Sequence, residues 1–280
     1  MTQVRSILRI VEPQPVREGA GVKLRRSIAL PTLDNVDPFL LLDDFRSNNP
    51  ADVLAGFPMH PHRGIETVTY MLAGNVAHRD SIGNAGVIGP GAVQWMTAGR
   101  GILHEEMPQP VADKLEGFQL WVNLPAAAKM IPARYQEFHA EDIPELTMAE
   151  GARVRVIAGQ VEAVRGPVTE IEIQPTYLDV SLPVGARFSL ATPAEHAVLL
   201  YLFEGEVETA GQLLRATRLV IFDAGDTVEI RAGSVAARFL FITGKPLREP
   251  IARYGPFVMN TREELQQTLH ELRTGVFPPA

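Results

Sequence analysis

The sequence predicts an all-β fold of two similar barrel-like domains closed by one short helix. Three observations carry that prediction. The 23 Gly and 22 Pro residues are spread over all 280 positions, and they interrupt short apolar segments about every eight to twelve residues, the spacing of β-sandwiches and barrels. The chain repeats itself: YMLAG (Tyr70–Gly74) aligns with YLFEG (Tyr201–Gly205), and with one insertion Gly91 and Gly99 then fall on Gly225 and Gly233. Helical periodicity is confined to the last stretch.

Taken in order, Thr67–Leu72, Ala92–Met96 and Phe118–Val122 are rich in β-branched and aromatic residues and bounded by turn residues, so they are expected to be strands of a first domain over 1–135. Residues 126–153 hold Pro132, Pro144 and a run of alanines, the composition of a linker. Val198–Phe203 and Arg238–Ile242 are expected strands of a second domain over 136–280. Pro246, Pro250 and Pro256 then carry the chain to a helix that starts after Thr261, where TREE (Thr261–Glu264) has the form of a capping box. Leu265, Leu269 and Leu272 follow at helical spacing.

Composition bounds the function. Hydrophobic residues make up 46% and charged residues 21%, a globular average that excludes disorder, collagen and coiled coil. With 26 basic and 33 acidic side chains the net charge is −7, and neither half is basic, so direct nucleic-acid binding has no electrostatic support. The absence of cysteine removes disulfides, thiolate metal sites and Cys nucleophiles, so any metal must take nitrogen and oxygen ligands. No apolar run approaches membrane-spanning length and MTQVRSILRIVEPQ lacks a leader's apolar stretch, so a cytoplasmic protein without a membrane partner is expected. Nucleophile-elbow, P-loop and dinucleotide-binding motifs are missing.

The chemistry concentrates in two short motifs, His60-Pro61-His62 and His104-Glu105-Glu106. Strand residues two apart share a face, so His60 and His62 converge from one strand, and His104 and Glu106 from another. Three imidazoles and a carboxylate suit a divalent transition metal that keeps open positions for substrate or oxygen. Spacing alone leaves the acid open between Glu106 and Glu66, which shares the parity of His62. Pro61 cannot donate a backbone hydrogen bond, which fits an edge strand at a barrel mouth. His78, His139, His196 and His270 have no ligand-like neighbours and are expected to be structural or on the surface. Trp95 and Trp121 fit strand-borne core aromatics better than platforms for a planar ligand.

The pattern from Gly56 through His60, His62 and Glu66 to Gly74, continued by Gly86, Pro90-Gly91 and His104, resembles the two motifs of the cupin superfamily. More narrowly, DPFLLLDDF (Asp37–Phe45), HPHRGIETVTYMLAG (His60–Gly74), VQWMTAGRGILHEEMP (Val93–Pro108), GFQLWVNLP (Gly117–Pro125) and YGPFVMNTREEL (Tyr254–Leu265) resemble the pirin family. The resemblance implies a bicupin, two cupin-type barrels of the double-stranded β-helix kind, with a single metal, most often iron as Fe(2+), in the N-terminal domain. It implies metal ligands at His60, His62, His104 and Glu106, and so favours Glu106 over Glu66. Carried through the repeat, those positions fall on Ala191, Pro193, Arg238 and Leu240, so the second barrel is expected to bind no metal. Some pirins are flavonol 2,3-dioxygenases, so the resemblance implies a quercetinase-type oxidoreductase acting on a flavonol and O2, with Glu106 also as catalytic base. Its alternative is a non-catalytic, redox-responsive regulatory protein with a protein partner, as proposed for eukaryotic pirins in transcription.

Overall fold

Alternating burial along short segments is what makes this chain a sheet protein. In strand Ile102–Gln109, for example, Ile102, His104 and Glu106 are buried while Leu103, Glu105 and Met107 are half-buried on the other face. The computed structural model describes residues 3–47, 49–52, 54–109, 111 and 114–278. Two units result, one comprising Gln14–Ala140 with the chain from Leu247 onward, the other Glu141–Pro246 with the chain up to Pro13.

Each unit faces a seven-stranded antiparallel sheet with a four-stranded one. In the unit containing the histidine motifs the large sheet runs in the order Arg134–Phe138, Val93–Thr97, Ile65–Ala73, Glu116–Asn123, Phe39–Asp44, Val22–Ile28, Gln14–Glu18. The small sheet runs Phe57–His62, Ile102–Gln109, Asn75–Asp80, Ala85–Ile88. A core of Val22, Leu24, Met71, Val76 and Ile88, drawn from both sheets, lies at one end of the unit. The other unit repeats this order strand for strand, with Arg187–Ala191, Thr227–Ala232, Glu206–Thr209 and Gln212–Arg215 as its small sheet. The expected strands fall inside observed ones except for Ala92, which precedes Val93–Thr97, and the double-barrel, all-β class holds.

The strand order corrects the sequence alignment of the repeat. The counterpart of Ile102–Gln109 is Thr227–Ala232, not Ala237–Gly244, which instead corresponds to Glu116–Asn123. The alignment through Gly225 and Gly233 slipped by a strand because the second unit joins its small-sheet hairpin through Ala210-Gly211, where the first uses the longer Ser81–Asn84 turn. Arg238 and Leu240 are therefore not counterparts of His104 and Glu106. Arg238 forks onto Asp179 at 2.9 and 2.6 Å, and the exposed Ala191 is not an inward position. The true inward positions, Phe188, Val228, Ile230 and Ala232, are buried in one apolar cluster with Phe239 and Phe241. Side chains fill this barrel, each buried aliphatic or aromatic contributing about 1.5–3 kcal/mol.

Two further corrections concern the ends and the middle. The expected linker contains Arg134–Phe138, which pairs with Val93–Thr97 as the edge of the first unit's large sheet, and Lys129, which is fully buried. The terminal helix, Arg262–Thr274, belongs to the N-terminal unit rather than closing the C-terminal domain. Its capping box forms as expected: the Glu264 amide donates to Thr261 Oγ1 at 3.2 Å and the Thr261 amide donates to Glu264 Oε2 at 2.9 Å. Leu265 is buried against Phe257, Met259 and Phe277, and Leu269 packs on the same cluster. Leu272 does not join them and is 36% exposed.

Long-range polar bonds hold this terminal segment in place. Arg63, buried beside the second histidine of the motif, donates to Arg100 O at 2.6 Å, Thr268 Oγ1 at 2.9 Å and Glu271 Oε2 at 2.6 Å. The Lys129 ammonium donates to Gly64 O, Asn123 Oδ1 and Val258 O at 2.8–2.9 Å, and burial lowers its pKa to about 8. Gly64 itself, at φ +76°, sits so close that an added Cβ would lie 1.9 Å from Val258 O. Glu271→Gln leaves the Arg63 charge buried without its anion, and a loss of about 3 kcal/mol is expected. Urea unfolding checks this; a loss below about 1 kcal/mol would show that Arg63 needs no carboxylate.

Candidate metal centre

Strand Phe57–His62 lies at the edge of the small sheet, where the missing donor of Pro61 does no harm, as the sequence suggested. It pairs with Ile102–Gln109 so that His60 faces His104, and a bulge follows that puts Glu106 opposite Phe57. His62 and His104 are buried and His60 is half-buried. Among the described residues, His60, His62 and His104 are the group whose potential ligand atoms all lie within 4.8 Å of one another. The His60 and His62 Nε2 atoms are 3.0 Å apart, and ring centroids are separated by 4.5–5.0 Å.

The imidazoles are in the chemical state a metal requires. Burial and the adjacent imidazoles hold the His62 pKa well below its ordinary value, and burial together with His60 and His78 brings His104 down to about 3. The rings of His62 and His104 are therefore neutral near pH 7. His60 Nδ1 donates to Pro58 O at 2.9 Å, which leaves the lone pair on Nε2. Both ring nitrogens of His104 are buried without a hydrogen-bond partner, a costly arrangement for a protein interior unless a further group satisfies them. A divalent metal would satisfy one of them, and the nitrogen donors present fit such an ion.

Glu106 lies outside that 4.8 Å group but lines the same cavity. Burial raises its pKa, while His60 and a hydrogen bond from Thr69 pull it back. Thr69 Oγ1 is 3.0 Å from Glu106 Oε1 and 2.8 Å from the Gln119 side-chain oxygen position. One hydroxyl proton cannot serve two acceptors, so the Gln119 amide is best turned with its N–H toward Thr69, whose proton then goes to Glu106. Glu66, the competitor by spacing, is on the large sheet, where its Oε1 accepts from Thr97 Oγ1 at 2.7 Å, and it does not line the cavity.

Two spaces share His60 and His62 in their walls. An inner cavity of about 60 Å³ is walled by Val22, Leu24, Phe45, Val76 and Leu115, with Thr69, Glu106 and Gln119 as its polar groups. An outer cleft of about 630 Å³ carries Arg26, Leu41, Arg253 and Pro256. Phe57, His60, His62 and Trp121 line both. Trp121, half-buried, meets His62 edge-on with ring centroids 5.1 Å apart, whereas Trp95 is a core residue, 1% exposed. The expectation of a core role thus holds for Trp95, while Trp121 both packs against the core cluster of Leu40, Ile65 and Met96 and lines the cavity.

His78, expected to be structural or on the surface, is structural. It pairs across the sheet with Glu106, is buried, stacks on Tyr135 and places Nε2 3.0 Å from Glu137 Oε2. Glu137 also accepts from Gln94 Nε2 at 2.8 Å. His78 shares the inward parity of Val76. His139 and His270 are exposed and His196 is buried in the other unit, in line with their expected structural or surface roles. Among the described residues no helix is long and apolar enough to cross a membrane.

Comparison with known proteins bears out the fold. Residues 21–122 match the family model described as pirin, and residues 177–278 match that of the pirin C-terminal cupin domain. A Pseudomonas aeruginosa relative, provisionally named a quercetin 2,3-dioxygenase, is 47% identical over 99% of each chain. Human pirin is 42% identical over 91% of this chain and 88% of its own. The crystal structure of a quercetin 2,3-dioxygenase from Acinetobacter baumannii superposes with a TM-score of 0.89 at 36% identity, covering 98% of both chains.

Proposed function

The chain belongs to the pirin family, and from that premise we propose that it is a metal-dependent dioxygenase that opens flavonols such as quercetin with O2. The single observation that carries the reading is the cluster of three imidazoles, two buried and one half-buried, beside an apolar cavity and an open cleft, with a carboxylate on the cavity wall. His60, His62 and His104 hold the metal, Glu106 joins them as fourth ligand, and Fe(2+) is the proposed ion. When bound, the metal supplies Lewis acidity toward the flavonol's 3-oxygen and an electron partner for oxygen.

The remaining work falls to the chain. Glu106 takes the proton of the 3-hydroxyl as general base from its place on the cavity wall. The hydrogen bond from Thr69 fixes one carboxylate oxygen and leaves the other to receive that proton. Val22, Leu24, Phe45, Val76 and Leu115 keep water from the inner end, which strengthens each polar contact there. Trp121 lines both spaces at the rim and presents an aromatic edge to a planar substrate.

Anaerobic purification, Fe(2+) loading and mixing with quercetin in aerated buffer test the reading. Loss of the flavonol absorbance band with matching O2 uptake is expected. An iron-replete protein that consumes neither would overturn it and leave a non-catalytic metal protein.

A further inference from the structure

The inner cavity, at about 60 Å³, is well short of the ~300–1,000 Å³ of ordinary ligand pockets. A three-ring substrate therefore places only its chelating edge there and lays its remaining ring in the outer cleft. One charged group of that cleft wall makes no ion pair among the described residues. Arg253, half-buried, holds its guanidinium 5.1 Å from the centre of the Trp121 ring. Its Nη1 donates to Leu40 O at 3.2 Å and its Nε to Gly255 O at 3.4 Å.

The other charges of the wall are already matched. Arg26 forks onto Asp43 at 2.8 and 2.7 Å and reaches Glu18 at 2.7 Å, so those two carboxylates are engaged. Asp34 exerts the strongest carboxylate pull on Arg253, yet it is exposed, makes no ion pair with it among the described residues and does not line the cleft. A guanidinium stacked on an indole keeps its edge N–H groups aimed outward, and two weak carbonyl contacts do not use up its five donors.

We propose that Arg253 is a specificity-determining residue of this cleft, selecting planar aromatic enols whose ring remote from the metal end carries an anionic oxygen. The proposal rests on the flavonol reading and narrows its substrate class. An ionised phenol or carboxylate on that ring meets the guanidinium edge in a charge-assisted bond, strengthened because burial has stripped both Trp121 and Arg253 of part of their water.

The test is a binding measurement on Zn(2+)-loaded protein, in which no turnover intervenes. Dissociation constants are measured for 3-hydroxyflavone and for its 4′-carboxylate by the shift in flavonol fluorescence, with wild type and Arg253→Met. Wild type is expected to prefer the carboxylate, and the ratio of the two constants is expected to fall about ten- to a hundredfold in Arg253→Met. Should that variant fail to fold, Arg253→Gln, which keeps a donor for Leu40 O, takes its place with the same expectation. An unchanged ratio with both ligands still bound would overturn the role of Arg253 and leave the flavonol reading standing. Wild type that binds neither ligand would overturn both.

Discussion

His62→Ala is expected to abolish retention of the metal while leaving the fold near its native stability. His62 is 2% exposed, its Nε2 is 3.0 Å from that of His60, and burial keeps it neutral, so it contributes a preformed ligand that no neighbouring side chain replaces. Removing a hydrogen-bond partner of a ligand costs about 10–100-fold in metal affinity, and loss of the ligand itself must exceed that. Stability should survive because the side chain faces the cavity, and the strand stays clamped through Arg63 and through Lys129 on Gly64 O. Elemental analysis of the purified protein reads the first half of this result. Thermal melts read the second: metal at a hundred times its dissociation constant adds about 2.7 kcal/mol to wild type and should add nothing to the variant. Stoichiometric metal in His62→Ala would remove this site from consideration.

Glu106→Gln is expected to lower kcat for quercetin by about 10²–10⁴, the range of a positioned general base, with a much smaller change in KM. The amide keeps the volume of the carboxyl group and still accepts from Thr69, so the cavity wall is preserved while the proton acceptor is lost. Weakened but measurable metal binding should accompany this, since three imidazoles remain. Two departures are informative. Full activity would exclude Glu106 as the base, and complete loss of metal would make ligation its dominant role.

Much of the site was legible because it is local. His60 and His62, and His104 and Glu106, sit two residues apart, and strand parity places each pair on one face whatever the rest of the fold does. The helix start was equally plain, since a capping box closes within four residues. Trp121 and Arg253 were not legible in the same way. Nothing near Trp121 in the chain marks it as facing His62 as well as a core, and Arg253 reaches it from a segment separated by the whole second barrel. The repeat alignment failed for a related reason: turn glycines recur in many hairpins, so a short match cannot tell one strand from the next.

The sequence by itself determined the all-β class, the repeat, the pairing of the candidate histidines and the terminal helix, because each follows from residue type and short-range spacing. Tertiary structure decided the rest. It took the terminal helix into the N-terminal unit through Arg63 and Glu271, filled the second barrel with Phe188, Val228 and Ile230, separated Glu106 from Glu66, and left Arg253 on the cleft wall with no ion pair among the described residues. Those outcomes depend on burial and on which distant charges meet, and free energies of that kind exist only once the chain has closed on itself.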